Sequence, residues 1–265
     1  MKKKIQYLIG KHITGRNTFL FSIYKPNSAG NYKMRDTATI YNIRNLLPLI
    51  SKVSQYFNKI EAKDYKDIKV DKNLEIKLKN LFNKHGSDKA SGHGYEVIYT
   101  YVLSQLPKKI NLLEIGLGTN NINVISNMGK GGKPGASLFA FSELLPDGKI
   151  FGADIDRRIL FNKNNIRTFY LDQTNEETYY LMSKEFGDIN YDLIIDDGLH
   201  LQSANLNTLN FSLNKLNKNG YLVIEDIPEF ALDTWYIIGN LIGSSFEFNI
   251  VRAAKSFVVL LKKIA

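Results

Sequence analysis

The feature that most constrains this chain is a series of five short apolar runs between residues 110 and 225, each of which closes on acidic or glycine-rich residues. Residues 110–115 lead into Gly116-Leu117-Gly118. Residues 149–155 carry Asp154 and are followed by Asp156. Residues 166–171 are followed by Asp172-Gln173. Residues 191–196 run into Asp197-Gly198-Leu199-His200, and residues 220–225 run into Asp226. Segments with helical apolar spacing, 175–186 and 203–216, lie between them. Strands that alternate with helices predict a parallel sheet covered on both faces, a Rossmann-like, doubly wound α/β domain. Residues 250–251 and 257–261 are expected to add an antiparallel hairpin at the sheet edge.

Upstream of this pattern the reading is coarser. Apolar positions at Ile43, Leu46, Leu47, Ile50, Val53, Phe57 and Ile60 are spaced for a helix that contains Pro48, residues 63–71 are charged and linker-like, and 74–82 and 95–106 suggest two further helices. Between those two lies the polar cluster His85-Gly86-Ser87-Asp88-Lys89. The expected division is an N-terminal extension over 1–72 (arm, lid or small subdomain) and an α/β domain over 73–265.

Charge separates the two parts as well. Residues 1–60 hold 11 lysines and arginines against one aspartate, a net +10, whereas the rest of the chain holds 24 against 25, a net −1. Such a basic segment suits either solubility or an anionic partner, such as a phosphorylated or nucleotide-linked substrate. No nucleic-acid-binding motif accompanies it. With no cysteine, the chain has no disulfide, thiolate metal site or cysteine nucleophile. At 44% hydrophobic residues a sizeable core is within reach, yet no stretch approaches the roughly 18–20 apolar residues of a membrane span. Polar residues after the basic start interrupt any signal-peptide core, so a cytoplasmic protein is expected.

Open α/β sheets bind ligands beyond the carboxyl ends of their strands, so the residues at those ends are the candidates for chemistry. An acid at one strand end is often only a helix cap; acids at five consecutive ends form a stronger pattern. The dehydrogenase fingerprint is not met, because position 121 is Asn. The loop 129–135 is glycine-rich but lacks the phosphate-loop spacing. Trp235 and Tyr236 either cover the site or pack a helix. His85 and His93 either face a substrate or hold a loop.

The order Glu-x-Gly-x-Gly (114–118), Gly-x-Asp (152–154), Asp-Asp-Gly-x-His (196–200) and Ile-Glu-Asp (224–226) resembles the class I S-adenosylmethionine-dependent methyltransferases. More narrowly it is similar to the macrocin- and mycinamicin-type sugar O-methyltransferases and their cephalosporin-hydroxylase-like relatives. The His-Gly-Ser-Asp-Lys cluster and residues 135–148 also look like that group, so the resemblance spans roughly residues 80–228.

The resemblance implies a role for each position. Glu114, Gly116 and Gly118 line the methionine part of S-adenosylmethionine, Asp154 holds its ribose, and Asp172 with Gln173 meets the adenine. Ser87 and Lys89 contact the polar end of this cofactor or fold over it. Asp196 belongs to the cofactor shell or is structural. Asp197, Glu225 and Asp226 hold a divalent cation, Mg²⁺ above others, and His200 is the general base.

Chemically, crowded carboxylates attract a hard cation, and an alcohol acceptor must lose a proton before it attacks a methyl group. The expected acceptor is a small molecule carrying a sugar hydroxyl or a related polar or phosphorylated group, as in surface-polysaccharide decoration, including methylation of a phosphoramidate. A hydroxylase-like enzyme and a non-catalytic binding protein are the alternatives, and a homo-oligomer stays open.

Overall fold

The computed structural model describes residues 60–265 together with isolated helical positions between residues 37 and 52. The helix expected around 43–60 therefore falls largely outside the described residues, with positions 45, 46, 48, 49 and 52 described and helical. From Ile60 onward the described chain, Leu201–Ser203 apart, belongs to one compact unit.

Among the described residues nine strands form one sheet: β1 (Lys63–Asp64), β2 (Asn111–Ile115), β3 (Lys149–Asp154), β4 (Asn162–Lys163), β5 (Ile166–Tyr170), β6 (Tyr191–Asp196), β7 (Leu216–Ile227), β8 (Phe246–Arg252) and β9 (Phe257–Lys263). Their order is β1-β8-β9-β7-β6-β2-β3-β5-β4. From β7 through β5 neighbouring strands are parallel; β9 and β4 run antiparallel to their partners. The expected C-terminal hairpin is β8–β9, and it lies inside β1 rather than at the outermost edge.

The helices are α1 (Lys72–His85), α2 (Asp88–Ser91), α3 (Tyr95–Ser104), α4 (Ala136–Leu144), α5 (Glu176–Glu185), α6 (Gln202–Lys215) and α7 (Leu232–Leu241). Local chemistry sets their ends. Asp71 accepts hydrogen bonds from the N–H groups of Asn73 and Leu74 and so caps α1. Gly86 then stops it at φ +83°, in the left-handed region.

The central strands are largely apolar because both faces are buried. Leu112, Leu193, Ile195 and Val223 join the core on one face, while Leu113, Ile194, Leu222 and Ile224 join the core on the other. This two-sided burial produces continuous runs in place of alternation. Trp235 is fully buried in the second core, so it packs α7 and does not cover the strand ends. No helix among the described residues is long and apolar enough to cross a membrane.

One expectation needs correction. Lys63 and Asp64 are not linker: they pair in parallel with Val251 and Arg252 of β8, and a short 3-10 turn at Tyr65–Asp67 follows. Within the polar cluster at 85–89, Ser87 caps the four-residue α2.

The topology decides where a ligand fits. From β2 the chain proceeds to β3 on one side; from β5 it returns to β6 on β2's other side. The crevice outside the carboxyl ends of β2 and β6 is thus the switch point of the sheet.

Candidate active site at the switch point

The turns after β2 and β6 meet backbone to backbone. Gly116 has φ +92°, and a Cβ built on it would lie 2.1 Å from the carbonyl oxygen of Asp197. Only glycine allows this approach. Gly118 is likewise left-handed at φ +73°.

Asp154, at the end of β3, holds this turn from the side. One oxygen accepts the N–H of Leu117 and the other the N–H of Asp156, both at 2.8 Å. Burial pushes its carboxyl up from the ordinary aspartate range, with these two donors pulling the other way. Asp156 binds Thr119 at 2.6 Å, Asn121 at 2.5 Å and Arg158 at 2.7 Å. The Arg158 guanidinium, helped by Thr119 and Asn121, holds its carboxyl well below the usual range against the effect of burial.

The end of β5 is tied to the end of β6. Gln173 donates to Asp196 at 2.7 Å and to Thr208 at 3.1 Å, and its oxygen accepts the N–H of Leu199 at 2.7 Å. Asp196, with no exposed surface, also accepts from Asn205 and from the N–H of Gly198. Both side chains are thus engaged within the protein. Asp172, also buried, accepts from the N–H and hydroxyl of Thr174.

The acids at the ends of β2, β6 and β7 converge. Lys89 reaches in from α2 with 2% of its side chain exposed. Its Nζ lies 2.6 Å from Asp197 Oδ2, 2.6 Å from Glu225 Oε2 and 3.2 Å from Glu114 Oε1. Burial alone would favour the neutral amine, but Asp197, Glu225 and Glu114 more than reverse this, and Lys89 stays protonated. Glu114 also accepts from Ser137 at 2.7 Å, and Glu225 from the hydroxyl of Tyr99. Burial raises both glutamates, with Lys89 opposing.

Beside this cluster lies a second, more open one. Ligand atoms of Asp197, His200 and Asp226 lie within 4.8 Å of one another, and this is the one such group among the described residues. His200 Nε2 is 3.7 Å from Asp197 Oδ1 and 3.9 Å from Asp226 Oδ2. Its Nδ1 is buried without a hydrogen-bond partner. His200 and Asp226 both adopt left-handed backbone, at φ +53° and +54°. Such strain in non-glycine residues concentrates at functional sites.

Asp226 also accepts from Tyr95 at 2.8 Å and Ser256 at 2.9 Å. Burial pushes its carboxyl up, but His93, His200 and Tyr95 outweigh that and hold it well below the usual range.

Of the expected metal-binding acids, then, Asp197 and Asp226 face this open cluster. Glu225 stands behind, between Lys89 and Tyr99. His93 approaches the other oxygen of Asp226 at 3.3 Å, outside the group gathered within 4.8 Å. His85 is engaged elsewhere, with Glu143 at 2.9 Å.

Sequence reasoning missed Tyr95 and Tyr99 as site residues. The available signal was their four-residue spacing, which puts both hydroxyls on one face of α3.

Comparison with known proteins fits this geometry. No family model matches the chain. Two curated relatives from Streptomyces olivaceus are similar over part of the chain. The 8-demethyl-8-alpha-L-rhamnosyl tetracenomycin-C 2'-O-methyltransferase is 25% identical over 151 residues, 57% of this chain and 37% of that protein. The 8-demethyl-8-(2-methoxy-alpha-L-rhamnosyl)-tetracenomycin-C 3'-O-methyltransferase is 26% identical over 152 residues, 57% of this chain and 36% of that protein.

Among solved structures, MycE methyltransferase from the mycinamycin biosynthetic pathway, in complex with Mg and SAH, superposes with a TM-score of 0.56 at 20% identity, covering 71% of this chain and 55% of that one. Its complex with Mg, SAH and mycinamycin VI gives 0.57 at 20% identity, covering 71% and 53%. The match thus takes in little more than a third of the curated relatives and about half of MycE. The strand order, the glycine turn and this likeness agree: the chain carries the class I methyltransferase fold and resembles the tetracenomycin and mycinamycin methyltransferases.

Proposed function

We propose that this chain is an S-adenosylmethionine-dependent O-methyltransferase that works with a divalent cation, Mg²⁺ above others, on a sugar hydroxyl. The observation that carries the reading is the gathering of Asp197, His200 and Asp226 within 4.8 Å, directly beside the Gly116 turn.

The residues fit the donor. Gly116 and Gly118 leave the turn after β2 free of side chains, Glu114 precedes it as a buried acid, and Asp172 is a second buried acid after β5. Asp154 would take the ribose and Asp172 the adenine. Ser87, Gln173 and Asp196 would act by shaping the wall behind them.

The residues fit the cation too. The carboxylates of Asp197 and Asp226 form an oxygen set suited to a hard ion, and His200 beside them stays free to act as a base. Glu225, the third expected acid, stands behind this set between Lys89 and Tyr99 and would add its negative charge to the attraction for the ion. A cation held there supplies acidification and orientation of the acceptor hydroxyl.

His200, strained and only partly exposed, takes the hydroxyl proton. The freed oxygen lone pair forms the new C–O bond as the methyl–sulfur bond breaks, and the sulfonium leaves as a neutral thioether. Asp226 and Asp197 stabilise the imidazolium that results. The glycine turn and the acids would hold donor and acceptor side by side, which would supply the proximity that such a displacement needs.

Phosphorylated and nucleotide-linked sugars belong in the acceptor set because residues 1–60 carry +10. Surface-polysaccharide decoration, including methylation of a phosphoramidate, would use such substrates.

The test is transfer of labelled methyl from S-adenosylmethionine to a panel of free, phosphorylated and nucleotide-linked sugars, with Mg²⁺ or with EDTA. Transfer that needs Mg²⁺ supports the reading. Turnover unaffected by the chelator contradicts the metal role, and a panel left unmethylated by a protein that binds the donor contradicts the sugar acceptor.

A further inference from the structure

We infer that Lys89 is a fixed counter-cation of the active site: its ammonium locks Glu114, Asp197 and Glu225 in place and sets how tightly these carboxylates hold an added divalent cation. The inference rests on the cation site proposed above and goes beyond it by assigning this chain's own lysine a place in it.

The geometry is a matched set. An ammonium has three N–H donors, and Lys89 meets three carboxylates, at 2.6, 2.6 and 3.2 Å. Each comes from a different part of the sheet: Glu114 from β2, Asp197 from the turn after β6, and Glu225 from β7. Glu114 and Glu225 are buried to within 1% of complete, and so is all but 2% of the lysine. Charges this deep persist only when paired and hydrogen-bonded.

Asp197 links this buried set to the open one. Its Oδ2 holds Lys89 while its Oδ1 faces His200. Through this shared carboxylate Lys89 acts as a positioning residue, fixing the orientation of Asp197 toward the cluster of Asp197, His200 and Asp226. It also withdraws negative charge from any cation bound there. One positive charge among three acids leaves the set negative, enough to attract a divalent ion but less than the bare carboxylates would.

The experiment titrates Mn²⁺ by electron paramagnetic resonance into the full chain as wild type, Lys89→Met, Lys89→Gln and Lys89→Arg, with melting curves recorded in EDTA and in millimolar Mn²⁺. Loss of a unit charge a few ångströms away is expected to tighten Mn²⁺ binding about tenfold or more in Lys89→Met and Lys89→Gln. Lys89→Arg, which keeps the charge, should bind as the wild type does. The neutral variants should melt well below wild type in EDTA and recover most of the gap with Mn²⁺. Should a neutral variant be unfolded without metal, recovery on adding Mn²⁺ supports the inference and continued unfolding overturns it.

Equal Mn²⁺ affinity in wild type and Lys89→Met also overturns it, because a purely structural salt bridge would change the melting point alone. A wild type that binds no Mn²⁺ beside a Lys89→Met variant that does would leave the inference standing and sink the metal-assisted reading of the native enzyme.

Discussion

Leu117 donates its backbone N–H to Asp154 Oδ2 across 2.8 Å, so a side chain at the end of β3 holds the glycine turn that follows β2. The same carboxylate accepts from Asp156 N. Asp154→Ala removes two hydrogen bonds to a buried charged group and leaves the N–H of Leu117 without its partner. Stability should fall by about 2–4 kcal/mol, read by urea denaturation. Donor affinity should fall with it, because the turn loses its support.

Gly116→Ala forces a Cβ onto the carbonyl of Asp197 and a left-handed φ onto a residue that avoids it. The expected cost is about 2–4 kcal/mol from overpacking and strain together. Calorimetry on any folded protein that remains should show donor binding lost, since the two turns must separate to make room.

His200→Ala should lower turnover by about 10²–10⁴-fold, the usual contribution of a positioned base. Affinity for S-adenosylhomocysteine should stay near that of the wild type, because Asp172, Glu114 and the glycine turn are untouched. Equal loss of turnover and affinity would show that His200 holds the donor and is not the base.

The Asp156 carboxyl is held below its ordinary range, chiefly by Arg158. A depressed folded pKa adds stability above the unfolded value and loses it as pH falls through the folded one. The stability gap between wild type and Asp156→Asn should therefore be full at about pH 7 and shrink below about pH 3.9, the unfolded aspartate value. Denaturant midpoints across that range measure it, and a gap that stays constant into acid would contradict the role of this carboxylate.

Much of this architecture was legible because burial writes itself into composition. Strands β2, β3 and β6 lie between two cores, so each is a largely apolar run that ends within a residue or two of its expected limit. The two-residue strands β1 and β4 escaped because they are polar edge strands with no inward face to pattern. Residues 216–220, Leu-Asn-Lys-Asn-Gly, resemble a turn, yet the start of β7 pairs there, Leu216 with Tyr191, across a register shift.

At the site, Asp197, His200 and Asp226 could be found from strand ends alone. The position of Lys89 at the centre of the acids could not, because 108 residues separate it from Asp197 and nothing about a lysine in a short polar cluster marks it as buried. Gln173 and Asp196 have the right residue types for a ligand, but local sequence does not reveal that they bind each other.

Calorimetric titration of the chain with S-adenosylmethionine tests the central claim most directly. The convergence of the glycine turn and the strand-end acids predicts saturable binding at a single site, abolished by Gly116→Ala. A correctly folded wild-type protein that gives no binding heat at any accessible donor concentration would contradict it.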